Sequence, residues 1–253
     1  MTDAGVRPFH VYVRIAVELF LASTILGVAL YLISPKMPKL IVTAVKHRVE
    51  RLAAVLPFGR ERITVAILIW NSVVVLLCVF GGVLALLIDR TILSIVPSRL
   101  RHRLERPPYA DALIRLARWM GYEVSRYREA DVILTLRLGP LVVPFINGVA
   151  AGSFFASVAD KFGVHRMIKL LLLPHGLIEL PTVIAAAALG LYLADHLIHR
   201  ERVHRRWPDA SLRPPSWVVR SVSYCLFALT AAAYLEVHVS PKLLAGSAGC
   251  VLR

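Results

Sequence analysis

The sequence has no glutamine and only two asparagines in 253 residues. Scarce amides are one signature of thermophilic proteins, although the 24 arginines against 6 lysines also follow from nucleotide composition. Cysteine is nearly absent too. Cys78, Cys225 and Cys250 have no metal-type spacing and two lie in apolar runs, which excludes a disulfide framework or a zinc site. There is no glycine-rich phosphate loop, no Ser-His-Asp set and no G-x-S-x-G, so neither an enzyme nor a cofactor is expected. Acidic residues number 16 against 30 basic ones, a net charge of +14. What is abundant is apolar: 57% of the chain, with a mean hydropathy of +0.66. Soluble domains reach about 45–50% even with glycine counted. A disordered chain is excluded and a water-soluble domain disfavoured. Basic residues beside apolar runs are explained by membrane flanks, so no nucleic-acid partner is expected.

Five runs are long enough to cross a bilayer, which takes about 20 helical residues. They are Ile15–Ser34, Ile63–Ile88, Val132–Ala159, Met167–Ala194 and Trp217–Val239. None alternates with the period of a barrel strand, so the expected fold is all-α, a polytopic transmembrane helical bundle of about five spans in one membrane domain, 1–253. No small-residue cleavage site follows Ser34, and the first span reads as a retained anchor.

The connections are basic. Residues 35–62 carry Leu40, Ile41, Ala44, Val45, Val49, Leu52 and Leu56 near helical spacing, with Lys46, Arg48 and Arg51 opposite, the pattern of an interfacial helix in the headgroup plane. Residues 89–131 form the longest connection and the one candidate soluble subdomain, with a short apolar face of Leu113, Ile114, Ala117 and Met120. His196, His199 and His204 beside Arg200–Arg206 read as a solvated or headgroup-facing surface. The side of the membrane holding the N-terminus collects 18 basic residues and the other side 12. The positive-inside rule then predicts a multi-pass cell-membrane protein with a cytoplasmic N-terminus, a cytoplasmic 89–131 loop and an external C-terminus.

Polar residues at membrane depth are costly and therefore informative. They are Glu18, Asn71, Asn147, His175, Glu179 and Glu236, and both asparagines of the chain are among them. Two readings stand side by side: interhelical hydrogen bonding, at roughly 1 kcal/mol each, or a functional polar cavity. Gly148, Gly152 and Ala156 recur every four residues and form one smooth face for a closely packed helix, in the same subunit or another. Ala185–Ala188 with Gly190 offers a second small-residue surface.

In the segment Leu173–Pro181, the residues Pro174, Gly176 and Pro181 predict a broken fourth span. Freed carbonyls and ionised groups must face protein or water, so His175 and Glu179, one helical turn apart, are expected to point into the bundle toward Asn71, Asn147 and Glu236. H-x-x-x-E is not the H-E-x-x-H of a zinc protease. A proton or ion site and a structural polar knot remain open.

These same residues resemble the stage II sporulation protein M family. The resemblance is carried by Asn147-Gly148 with Gly152, by Pro174-His175-Gly176 followed by Glu179-Leu180-Pro181, and by the alanine-rich stretch ending near Gly190. Ala231–Glu236 followed by Ser240-Pro241 is similar to the family's closing pattern, and Asn71 with Gly81-Gly82 matches more loosely. The resemblance implies a five-span, non-enzymatic membrane subunit. In spore formers the namesake holds a complex that cleaves peptidoglycan and supports engulfment. The expected partners are the lipid bilayer and other membrane or cell-envelope proteins, with a homo-oligomer left open. The rival class is a transporter or permease component with its polar site at the fourth span.

Overall fold

The structure is a computed structural model that describes residues 6–97, 107–171, 174–204 and 215–239. Every regular element among them is helical. The order is α1 (Phe9–Ile33), α2 (Lys36–Val55), α3 (Arg62–Ile95), α4 (Ala110–Trp119), α5 (Tyr127–Phe162), α6 (Val164–Leu171), α7 (Pro174–His204) and α8 (Ser216–His238), with a single 3-10 turn, Gly59–Glu61, before α3. Five of these helices are long and apolar enough to cross a membrane, covering Phe9–Ile33, Arg62–Ile95, Tyr127–Phe162, Leu177–Arg200 and Ser216–His238. The chain is therefore a multi-pass helical membrane protein.

α7 is the central helix. Half of its most apolar window is buried inside the protein, against 22–28% for the other four spans. Its composition explains the position: Ala186, Ala187 and Ala188 are fully buried, and small side chains admit neighbours on all sides. One packed cluster joins α3, α4, α5, α7 and α8; a second joins Tyr12 and Ala16 of α1 to Ala187, Ala188 and Leu191 of α7.

The helices extend beyond the apolar runs. α3 continues seven residues past Ile88, and α5 starts at Tyr127 rather than Val132. The 89–131 connection is correspondingly shorter than the hydropathy predicts, because a helix continues through polar residues once it leaves the hydrocarbon. The described part of it holds α4, which buries Ala110 and Ala117 and rests Leu113 and Ile114 on the bundle. Past the end of α4, Gly121 takes a positive φ of 90°, and its own amide donates to the Arg118 carbonyl and the Tyr122 amide to the Ala117 carbonyl, which turns the chain back at the bundle end. The amphipathic stretch of the first connection is helical as α2, with Leu40 and Val55 exposed. The side chains of Ile41, Ala44, Val45, Lys46 and Arg48 lie outside the described residues.

The fourth span requires a correction. α7 is continuous through Gly176 and Pro181, so neither residue breaks it. Pro174 is its first residue, where a missing N–H leaves no helical bond unmade and the fixed φ is already helical. Pro181 lies in the second turn and costs one bond, at the Leu177 carbonyl. Residues 172–173 of the apolar run Met167–Ala194 lie outside the described residues, and from Pro174 onward the run is one helix. Pro140 and Pro144 are likewise accommodated inside α5 and are buried.

Candidate functional site

The costly polar groups gather at two levels of the bundle. The first lies toward the end where α3 begins and α8 finishes. Asn71 on α3 donates from Nδ2 to Glu179 Oε1 on α7 at 2.5 Å. The Glu236 carboxyl on α8 lies within electrostatic range of Glu179. Three helices therefore bring one amide and two carboxyls together, all half-buried. Nearer the surface, His238 Nε2 sits 3.1 Å from Glu61 Oε2, and Thr64 donates to the same oxygen. Those hydrogen bonds, that from His238 foremost, hold the Glu61 carboxyl below the usual carboxylate range.

Asn147 is half-buried on α5, beside Gly148 at the crossing with α1. His175 lies in the first turn of α7, four residues before Glu179; its side chain is outside the described residues. Glu18 pairs with Arg14 on the outward face of α1, Nε to Oε1 at 2.7 Å.

The second site was not legible as a site. Arg137 of α5 and Asp195 of α7 form an ion pair at 2.7 Å with both side chains only 10% exposed. Tyr12 donates its hydroxyl to Asp195 Oδ2 at 2.5 Å, and Tyr122 donates to Oδ1 at 3.0 Å. Arg137 Nε donates in turn to the Tyr122 oxygen, and the guanidinium carbon lies 5.8 Å and 5.6 Å from the Tyr12 and Tyr122 ring centres. Burial pushes the Tyr122 phenol above its ordinary range, against the pull of the guanidinium. From hydropathy, Asp195 falls just past the run Met167–Ala194 and reads as a flanking charge, while Arg137 lies five residues into Val132–Ala159 and is counted only with the basic residues of that flank. The available signal was local: each is a single formal charge within a mostly apolar stretch, in Leu134-Thr135-Leu136-Arg137-Leu138 and in Leu193-Ala194-Asp195-His196-Leu197. Two opposite charges so placed have good reason to find each other.

Small residues set the distances. Gly148 and Gly152 of α5 face α1 of the same chain, and a Cβ there would collide with Ser23 and with the Thr24 carbonyl oxygen respectively. Gly27 of α1 returns the contact against Val149, and Ser153 donates to the Gly27 carbonyl at 2.9 Å. Ala156 is half-buried. Gly190 of α7 lies against the Cys78 carbonyl and the Pro140 ring. Gly82 and Gly139 make an equally close crossing of α3 and α5, where a Cβ on Gly82 would come within 2.8 Å of Leu136 backbone. That crossing has no G-x-x-x-G spacing to announce it.

The fold and its buried pairs define a polytopic helical membrane protein. Residues 132–241, from within α5 to just past α8, match the family model described as Stage II sporulation protein M. Among curated proteins and among solved structures, nothing matches the chain. The matched segment holds Asn147, Glu179, Asp195 and Glu236, whereas Asn71, Tyr12 and Tyr122 lie outside it.

If the Asn71–Glu179 bond holds α3 to α7, Glu179→Ala should destabilise the protein in detergent by about 1 kcal/mol, since it leaves a half-buried amide unpaired. Glu179→Gln should lose less, because it keeps an acceptor. Thermal melting of the two variants checks this; equal melting of Glu179→Ala and wild type would remove the bond's structural role.

Proposed function

We propose that this protein is a non-enzymatic membrane scaffold, a subunit that holds other membrane or cell-envelope proteins. The observation that carries the reading is the construction of α5. It opens the family-matched segment and crosses both α1 and α3 with backbone against backbone, through Gly148, Gly152 and Gly139. Crossings with no room for a methyl group suit a rigid frame and resist the rocking of one half against another that transport demands. The family match supports the membrane-subunit part of the role; a part in spore formation follows only in an organism that makes spores.

The second reading, a transporter or permease component, is favoured by one feature: the Asn71, Glu179 and Glu236 groups at membrane depth. Reconstitution separates the two. A scaffold in liposomes should leave ion and proton gradients intact and should co-purify with envelope-active proteins encoded beside it. Gradient collapse that Glu179→Gln abolishes would install the transporter reading instead.

For orientation, the N-terminus and the 89–131 loop are placed in the cytoplasm and the C-terminus outside, on the basis of 18 basic residues against 12. Reporter fusions after Arg7, Arg103 and Arg206 should therefore report cytoplasm, and a fusion at the C-terminus should report the exterior. A cytoplasmic C-terminus would mean an even number of spans and would overturn the arrangement.

A further inference from the structure

α1 is an edge helix with an outward stripe that differs from ordinary lipid-facing surface. Its buried residues are Tyr12, Ala16, Phe20, Ser23, Gly27 and Tyr31. On the opposite side, Arg14, Glu18, Leu21, Ile25, Val28 and Leu32 follow one another at intervals of four and three residues, the seam of a heptad. Leu21, Ile25 and Leu32 are 55%, 71% and 75% exposed, and Val28 is half-buried. The Arg14 and Glu18 side chains are 79% and 59% exposed. Glu18 stands nine residues into the helix, about 13 Å at 1.5 Å per residue. Lipid covers the leucine and isoleucine at no cost. It does not solvate a carboxylate, and the bond to Arg14 occupies one of five guanidinium donors.

We infer that this stripe is the contact between two copies of the chain, packed through α1 about a twofold axis normal to the membrane. The charge pattern selects the occupant. Each copy presents one cation and one anion a single turn apart, so a parallel second copy offers its Glu18 to Arg14 and its Arg14 to Glu18, and the two pairs merge into a closed four-charge layer. Below that layer Leu21, Ile25, Val28 and Leu32 supply the apolar knobs. A polar layer at successive seam positions also sets register and parallel orientation, as polar seam residues do in coiled coils. The inference is independent of the scaffold reading, since either a scaffold or a transporter can be built as a dimer.

The test uses the full chain in lipid nanodiscs, with Cys78, Cys225 and Cys250 replaced by alanine or serine. Ile25→Cys should form a disulfide-linked dimer under mild oxidation. Val73→Cys, on the outer face of α3, should not. Arg14→Glu or Glu18→Arg should lower the Ile25→Cys dimer yield about five- to tenfold, the size expected of an interhelical polar contact of roughly 1 kcal/mol. The double exchange, Arg14→Glu with Glu18→Arg, should restore it. Mass photometry of the otherwise unaltered protein should count two chains per particle. Equal crosslinking at Ile25→Cys and Val73→Cys would overturn the inference, and so would single-chain particles or dimer yields indifferent to both charge reversals. If a charge reversal impairs folding, the crosslinking contrast and the particle mass decide the matter without it.

Discussion

Replacing Asp195 by alanine is expected to lower the stability of the detergent-solubilised protein by about 3–5 kcal/mol, the cost of breaking a buried ion pair from one side. The substitution strands the Arg137 guanidinium in a place only 10% exposed and takes the acceptor from the Tyr12 and Tyr122 hydroxyls together. The loss should spread beyond α5 and α7, because Tyr12 anchors α1 and Tyr122 anchors the chain leaving α4. Arg137→Met should lose a comparable amount for the mirror reason. The double variant Arg137→Met with Asp195→Leu should recover most of the loss, since two apolar groups of similar volume leave no charge behind. Chemical denaturation in detergent measures all three. Full wild-type stability of Asp195→Ala would mean that the charge reaches water and that the cluster does not hold the four elements together. A double variant no better than the singles would mean that the hydroxyl bonds, and not the charges, carry the stability.

The second large effect is expected at the α1–α5 crossing. Gly152→Leu must force α5 away from the Thr24 carbonyl, and Gly148→Leu must displace Ser23 and the Phe20 carbonyl. Overpacking costs about 1–3 kcal/mol where neighbours can shift, and backbone atoms shift less readily than side chains. Separating the helices also breaks the bond from Ser153 to the Gly27 carbonyl. A loss at or above the top of that range is expected, with even Gly152→Ala measurably destabilised. Thermal melting in detergent reads it. Wild-type melting of both leucine variants would show that the crossing opens freely, which would also remove the rigidity on which the scaffold reading rests. Gly121→Ala offers a contrast: nothing surrounds a Cβ there, and its cost should come from backbone strain at φ 90° alone.

Hydropathy and composition by themselves determined the class. Five apolar runs, no period-2 alternation and a surplus of arginine at their ends lead to an all-helical membrane bundle, because the bilayer imposes one length and one backbone solution on every span. The Asn147–Gly152 and Pro174–Pro181 strings carried the resemblance to the family whose model matches residues 132–241, and the expense of a polar group in hydrocarbon singled out Asn71 and Glu179. Other features belonged to the tertiary structure alone. Whether Gly148 and Gly152 face α1 or another chain depends on how helices are arranged, which a spacing of four does not encode. Pro181 reads as a break because one missing donor is visible in sequence, while the helix packing that tolerates it is not. Arg137 and Asp195 lie 58 positions apart in the chain. Hydropathy puts Asp195 just past one apolar run and Arg137 near the start of another, and nothing in the sequence pairs them; only the packing of α5 against α7, with a tyrosine closing in from each side, makes a dry place where they satisfy each other.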